Sequence, residues 1–305
     1  MVDFPFGQSV VNCRWVYKIK IKADGFVEWY KAHLIAKGFT QEYGIDYVEI
    51  FASIACLISV KCLISMAAVR HWPLYQMDVK NDFLNGDLQE EVYMQLPPSY
   101  PYSGNQVCHL RCALYGLKHA PWAWFDKFSL VVAQQGFTSS PHDTAFFVWR
   151  PSAGITLILL YVDDMTITRD YFVGIHSLQH FLSQHFEMKD LGTLSYFLVL
   201  EVTSSFDGYY LSQAKDTSDL LSKAGIIDNK IVSTPLEYNS KLTPLDGEPI
   251  SNTTRYHQLV GSLIYLTVTR LDISHAMGMV SKFMDAPCFV HYTVVLQILS
   301  SFMLI

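Results

Sequence analysis

The chain opens on a segment in which polar and apolar positions alternate. Residues 14–22 (RWVYKIKIK) show a period of two, which is typical of a half-buried strand. Residues 23–25 end in Gly25, and a glycine tolerates the positive φ of a tight turn. Residues 26–35 then return toward the start of the strand. The pattern predicts a β-hairpin.

Apolar runs and helical periodicity predict further elements. We expect helices at 57–71, 120–135 and 175–186, and Trp124, Phe128 and Val131 share one face of the second helix. Strands are expected at 74–79, 155–162, 165–168 and 196–202. Residues 235–249 form a linker that contains Pro, Ser and Asp, and residues 256–284 have a helical pattern. The expected fold is α+β, with a helical C-terminal part.

Composition and charge narrow the function classes. Half of the residues are hydrophobic, which excludes a disordered chain. The net charge of −6 argues against general nucleic-acid binding, because phosphate affinity comes from Lys and Arg. Residues 14–37, however, contain six basic residues against two acidic ones, which predicts a local basic face. The basic residues are Arg14, Lys18, Lys20, Lys22, Lys31 and Lys37.

The scattered cysteines and the lack of a signal-peptide pattern indicate an intracellular protein. Six scattered cysteines suit a reducing compartment, and the N-terminus lacks the pattern of a signal peptide. A cytoplasmic particle and the nucleus are not distinguished. Two apolar stretches, 50–69 and 289–305, are interrupted by Lys61 and His291, among other polar residues. We interpret both as buried helices and expect no membrane insertion, with an integral membrane protein as the alternative.

Three carboxylates are the candidate catalytic groups. Asp163 and Asp164 lie between two predicted strands, and Asp78 lies at the end of another. Carboxylates at two strand ends can hold a pair of Mg²⁺ ions, which activate a hydroxyl and stabilise the leaving oxygen in phosphoryl transfer. Each Asp alone is equally typical of a solvated turn. Periodicity does not establish that the two strand ends are neighbours.

Ten short motifs run in order over nearly the whole chain. They occur at 15–20 (WVYKIK), 30–41 (YKAHLIAKGFTQ), 77–88 (MDVKNDFLNGDL), 91–94 (EVYM), 114–121 (LYGLKHAP), 161–164 (YVDD), 190–192 (DLG), 196–198 (YFL), 259–266 (LVGSLIYL) and 269–273 (TRLDI). This series resembles the reverse transcriptase domain of the Pol polyprotein of copia-type LTR retrotransposons, a class of transposable elements.

The resemblance implies a right-hand polymerase fold of fingers, palm and thumb. Residues 1–230 would form fingers and palm, and 231–305 a linker and thumb-like helices that end before any ribonuclease H domain. Asp78, Asp163 and Asp164 would be the catalytic residues and the ligands of Mg²⁺ or Mn²⁺. The implied substrates and partners are deoxynucleoside triphosphates and an RNA or DNA template-primer. The oligomeric state is left open.

The resemblance also assigns binding residues. Lys31, His33, Lys37, Phe83 and Tyr161 would contact the incoming nucleotide, with Phe83 as an aromatic gate against the ribose 2′-hydroxyl. Gly261 and Tyr265 would face the minor groove of the duplex from a thumb helix. For Phe83 and Tyr265, ordinary core packing is the alternative role.

Several residues depart from the family pattern. At five positions this chain has a different residue from the one usual in the family. They are His33 (usually Arg), Asp82 (usually Ala), Trp122 (usually Arg), Val199 (usually Gly) and Leu271 (usually Pro). Asp82 would add a negative charge beside the nucleotide pocket, and Val199 would strain a backbone that favours glycine. None of these changes removes a catalytic carboxylate. The leading hypothesis is an RNA-directed DNA polymerase (a nucleotidyltransferase), and the alternative is a decayed, inactive retroelement fragment that at most binds nucleic acid.

Overall fold

The computed structural model describes residues 1–22, 24–44, 46–47, 49–98, 100–101, 105–152, 154–170, 174–226, 234–236, 242–244 and 247–304. Over these ranges the chain has a mixed α+β fold, as predicted. It divides into two compact units, Met1–Leu194 and Ser195–Ile305, and each is described by itself below.

The first unit contains twelve strands and three α-helices among its described residues. The strands are β1 (Val2–Asp3), β2 (Val10–Val11), β3 (Cys13–Ile21), β4 (Val27–Ala36), β5 (Leu74–Val79), β6 (Asp87–Met94), β7 (Gln106–Cys112), β8 (Thr138–Ser140), β9 (Asp143–Trp149), β10 (Thr156–Tyr161), β11 (Asp164–Arg169) and β12 (Met188–Thr193). The helices are α1 (Leu57–Arg70), α2 (Ala120–Ala133) and α3 (Ile175–His185), and short 3-10 helices lie at Gly38–Thr40 and Asp82–Asn85.

A six-stranded antiparallel sheet, in the order β12-β5-β11-β10-β9-β8, forms the centre of this unit. Strand β10 (TLILLY) is apolar on both faces and is buried up to Tyr161, as expected for a strand that is covered on both sides. Trp124 and Phe128 of α2 pack with Met77, Ile158 and residues of α3 in one core cluster. Burying a large apolar side chain stabilises the fold by roughly 1.5–3 kcal/mol. The predicted inward face of α2 is confirmed.

Strands β3 and β4 form the predicted hairpin as a separate two-stranded sheet. Of the predicted turn, Ala23 lies outside the described residues, and Gly25 has a φ of +86°. The paired register places Lys18 opposite Lys31 and Ile19 opposite Tyr30. Because successive side chains of a strand point to opposite faces, one face of the hairpin is basic and the other is apolar.

A four-stranded sheet in the order β1-β7-β6-β2 packs on the N-terminal half of α2. Gly86, just before β6, allows this packing. A Cβ added at Gly86 would lie 2.7 Å from backbone atoms of Ala123 and Trp124, which is closer than atoms approach without moving. A glycine is therefore required where this segment crosses the helix.

The second unit begins with a three-stranded sheet and continues with helices. Its elements are β13 (Tyr196–Phe197), β14 (Leu200–Ser205), β15 (Gly208–Ser212), α4 (Ala214–Ala224), α5 (Thr253–Leu266), α6 (Ser274–Val280) and α7 (Phe289–Ser300), with 3-10 helices at Leu271–Ile273, Ser281–Phe283 and Ser301–Leu304. Side chains of the four helices form a second hydrophobic core that contains the buried Tyr256. The predicted helical character of 256–284 is confirmed, as a series of shorter helices.

The predicted strand at 196–202 is interrupted. Leu198 and Val199 have φ angles of +50° and +64°, so the chain turns between β13 and β14. The expectation of strain at Val199 is confirmed, because a β-branched residue rarely adopts positive φ.

No described helix is long and apolar enough to cross a membrane. The stretches 50–69 and 289–305 contribute to α1 and α7, which have 14 and 12 residues. The predicted domain boundary at 230/231, and much of the linker at 235–249, lie outside the described residues.

Candidate active site

The three carboxylates are carried by adjoining strands of the six-stranded sheet. Strands β5 and β11 pair so that Asp78 lies directly opposite Asp164, and side chains in such a pair share a face. Asp163 occupies the two-residue turn between β10 and β11. Its carbonyl oxygen accepts a hydrogen bond of 2.9 Å from the backbone N–H of Val79. The two strand ends are therefore neighbours in the fold.

Burial and mutual repulsion shape the electrostatics of this group. Burial, followed by the charge of Asp163, raises the pKa of Asp78, and nearby lysines including Lys31 act in the opposite direction. The pKa of Asp164 is also raised, first by burial and then by the charges of Asp163 and Asp78, although a hydrogen bond from Gln76 at 3.2 Å opposes this. A cation near these oxygens would relieve the repulsion.

The donor set fits a hard divalent cation. Three carboxylates offer only oxygen ligands, which Mg²⁺ and Mn²⁺ prefer. Within the part of the chain that the structure describes, no group of three or more His, Cys, Asp or Glu side chains is arranged as a ready metal-binding cluster. The metal assignment of Asp78, Asp163 and Asp164 therefore stays a prediction that rests on the chemistry of the donors.

Tyr115 contacts residues from two other segments at the candidate nucleotide site. Its ring lies edge-on to His33 of β4, with the ring centroids 5.5 Å apart, and against Phe83 at 4.9 Å. Its hydroxyl donates a hydrogen bond of 2.6 Å to Oδ1 of Asp82. The structure thus brings His33 and Phe83 together. The motif at 114–121 was the only sequence signal for Tyr115, and it assigned the residue no role.

Asp82 is buried, whereas the sequence predicted a charge beside the pocket. Its side chain is 3% exposed, and Oδ2 has no hydrogen-bond partner. Burial raises the pKa of Asp82, against the lowering effect of the Tyr115 hydrogen bond. The neutral form is therefore favoured relative to an exposed Asp, which reduces the expected added charge.

The remaining nucleotide candidates are spread along β4 and β10. Lys31 is exposed, and its positive charge acts to lower the pKa of Asp78. The pKa of His33 is lowered, first by burial and then by the charge of Lys31, so its imidazole is neutral near pH 7. Lys37 follows β4, where its backbone N–H donates to the carbonyl oxygen of Asn12 at 2.7 Å. Tyr161 ends β10 opposite Asp164.

The two thumb candidates lie on α5 in the second unit. Gly261 and Tyr265 are four residues apart and therefore share a face of the helix. Tyr265 is 61% exposed, which rules out core packing as its role. Phe83, by contrast, is half-buried and packs against two core clusters.

The sequence of the chain matches a known family of enzymes. The sheet with its carboxylate-bearing strand ends suits a nucleotidyl-transfer enzyme. The family model described as "Reverse transcriptase (RNA-dependent DNA polymerase)" matches residues 1–238. The chain therefore belongs to the reverse transcriptase family, and Pol polyproteins of copia-type transposons are among its relatives.

Three of these relatives come from plants. The chain is 39% identical over 297 residues to the Retrovirus-related Pol polyprotein from transposon RE1 of Arabidopsis thaliana. The aligned region covers 97% of the chain and 20% of this relative. The corresponding protein from transposon RE2 is 38% identical with the same coverage. That from transposon TNT 1-94 of Nicotiana tabacum is 37% identical over 311 residues, with coverage of 98% and 23%. The chain spans about a fifth of their length. No solved structure matches it.

Proposed function

We propose that the chain is an RNA-directed DNA polymerase domain that extends a primer along an RNA or DNA template. The observation that carries this proposal is the strand register that opposes Asp78 and Asp164 beside the Asp163 turn, in a member of the reverse transcriptase family. The sequence motifs and the strand register both support Asp78, Asp163 and Asp164 as the catalytic residues.

In this proposal Asp78, Asp163 and Asp164 would hold Mg²⁺ or Mn²⁺. Bound ions would neutralise the negative charge that develops during phosphoryl transfer. The primer 3′-hydroxyl attacks the α-phosphate of a deoxynucleoside triphosphate, the new phosphodiester bond forms and pyrophosphate leaves. The protein contributes mainly by positioning, because the reaction requires no covalent protein intermediate.

We assign the parts of a right-hand polymerase to the described elements. The β3–β4 hairpin corresponds to fingers, the six-stranded sheet to palm and the helices of the second unit to thumb. Lys31, His33 and Lys37 would meet the triphosphate, while Phe83 and Tyr161 would lie against its nucleoside. The His33–Tyr115–Phe83 contacts support the shared location of two of these residues.

Gly261 and Tyr265 would contact the primer-template duplex. A Cβ added at Gly261 meets nothing within 4 Å inside the chain, so internal packing does not require a glycine there. A glycine inside a helix is destabilising, and close approach of a partner is one reason to retain it. The exposed Tyr265 ring on the same face supports the assignment.

The first prediction tests the carboxylates. Asp163→Asn and Asp78→Asn should each lower the rate of Mg²⁺- or Mn²⁺-dependent primer extension on the order of a hundredfold or more, because the metal ions contribute several kcal/mol of transition-state stabilisation. The matched control is Asp207→Asn, an exposed aspartate at the turn between β14 and β15. Full activity in either site variant would contradict the assignment.

An inactive copy that only binds nucleic acid is the second candidate. It is favoured by the buried Asp82, whose Oδ2 is unpartnered, because this residue departs from the family pattern beside the candidate site. Template-primer binding without primer extension by the unmodified chain would establish this candidate.

A further inference from the structure

The turn that carries Asp163 has a strained backbone. Tyr161 and Asp164 close a two-residue turn, and Val162 at its first central position has a φ of +56°. A β-branched residue in the left-handed region is a conformational outlier, and such strain persists only where surrounding contacts hold it. The contacts that hold this turn therefore bear on the position of Asp163.

Trp124 makes such a contact from α2. Its indole Nε1–H donates a hydrogen bond of 2.8 Å to the carbonyl oxygen of Val162. The side chain is 1% exposed and packs edge-on against Phe186, with the ring centroids 5.0 Å apart, and against Phe128 at 5.6 Å. The ring is held in one orientation, so the hydrogen-bond donor is fixed relative to the sheet.

The helix is also fixed against the segment that follows Asp78. The close approach at Gly86 seats this segment on the backbone of Ala123 and Trp124. Val79, the residue after Asp78, donates to the Asp163 carbonyl on the other side. The same part of α2 thus contacts the chain beyond Asp78 and, through its indole, the turn that carries Asp163.

We propose that Trp124 is a positioning residue for the candidate active site, because its indole N–H holds the strained turn and sets the placement of Asp163 and Asp164 relative to Asp78. The proposal rests on the proposed function. It separates two roles of Trp124: the ring fills the core, whereas the N–H acts on the turn.

The test replaces the N–H while keeping the ring. In the full chain, Trp124 is replaced by Phe, and separately by 3-benzothienylalanine, which keeps the shape of indole but has sulfur in place of N–H. The matched control is Tyr256→Phe, which removes a buried hydroxyl that donates to the Val280 carbonyl at 2.7 Å in the second unit. Hydrogen exchange is followed at residues 160–166 and at the amide of Val79, together with primer-extension kinetics.

We expect both Trp124 variants to accelerate exchange at the turn and at Val79, and the Tyr256→Phe control to leave it unchanged. In an active chain, kcat should fall on the order of tenfold to a hundredfold while the nucleotide KM stays the same, because misplacement of a positioned group acts on the transition state. The benzothienyl variant should not restore kcat, although it restores the core.

The inference is overturned if turn exchange is unaltered in the benzothienyl variant, or if that variant recovers full kcat, since Trp124 would then serve only as a core residue. An unmodified chain that does not extend primers defeats the proposed function alone. In that case the exchange readout still decides the placement of the turn, because it does not depend on catalysis.

Discussion

Asp82 combines two features that are costly together, because it is an ionisable residue in the core and one of its oxygens has no partner. Its Oδ1 accepts the Tyr115 hydroxyl at 2.6 Å, while Oδ2 is buried and unpartnered. The hydrogen bond holds Tyr115 between His33 and Phe83. The free energy of unfolding of the chain should therefore depend on the protonation of Asp82 and so on pH.

Asp82→Asn should raise the free energy of unfolding at pH 7. Because the folded-state pKa of Asp82 is raised, the folded chain binds this proton more tightly than the unfolded chain. Stability therefore falls as pH rises from the unfolded pKa, about 3.9, to the raised folded pKa. The Asn variant lacks this loss and can still accept the Tyr115 hydrogen bond.

The measurement is urea unfolding of the unmodified chain and the Asp82→Asn variant from about pH 4 to about pH 8. The advantage of the variant should grow as pH increases and then level off above the folded pKa. Asp207→Asn, at an exposed turn, should show no such trend. A pH-independent difference between the unmodified chain and the Asp82→Asn variant would show that the carboxyl is not desolvated.

Residue-level contacts were the part of the site that the sequence could not supply. Asp78, Asp163 and Asp164 were predicted as site residues from short motifs, since strand ends and turn residues are local features. The hydrogen bonds of Tyr115 to Asp82 and of Trp124 to Val162 join residues 33 and 38 positions apart. Such contacts follow from tertiary packing, which local periodicity does not encode.

Several elements with a buried, periodic sequence were predicted, although the largely buried strand β9 (DTAFFVW) was missed. The structure has β5 at Leu74–Val79, the predicted bounds, and α2 begins at Ala120 as expected. Strand β12 (MKDLGT) was missed because its sequence is largely polar. Pairing with β5 stabilises it, and strand formation depends on such context more than on intrinsic preference.

Helix α5 carries a glycine whose role can be tested at this scale. Gly261→Ala should stabilise the fold by roughly 0.5–1 kcal/mol, because alanine is the better helix former and a Cβ there meets nothing within 4 Å. If duplex DNA approaches this face, the same change should weaken template-primer binding. Thermal unfolding and a fluorescence-anisotropy titration measure the two effects.

Gly278 of α6 provides the matched control. A Cβ there also meets nothing within 4 Å, so Gly278→Ala should stabilise the chain similarly and leave template-primer binding unchanged. Equal affinities of both variants and the unmodified chain would remove Gly261 from the proposed duplex contact.

Across the whole molecule, acidic residues outnumber basic ones, 28 to 22, so binding to a polyanion must come from a local concentration of positive charge. The β3–β4 hairpin provides it, because Lys18 and Lys20 share a face with their cross-strand partners Lys31 and Trp29. Lys18 and Lys31 are directly opposed, and like charges in that relation destabilise a strand pair. An anionic partner would remove this repulsion.

Template-primer affinity should therefore depend on salt through this hairpin. Each phosphate contact contributes about 0.9 to the slope of log K against log[salt] for duplex DNA, so the double variant Lys18→Gln and Lys20→Gln should reduce that slope by about 2. The control is Lys127→Gln, since Lys127 is ion-paired with Asp87 at 2.6 Å. Binding is titrated without nucleotide at several salt concentrations, because exposed charges are screened. A slope that the hairpin variant leaves unchanged would place the phosphate contacts elsewhere on the chain, whereas a reduced slope confined to that variant would show that this acidic protein binds nucleic acid through its basic hairpin.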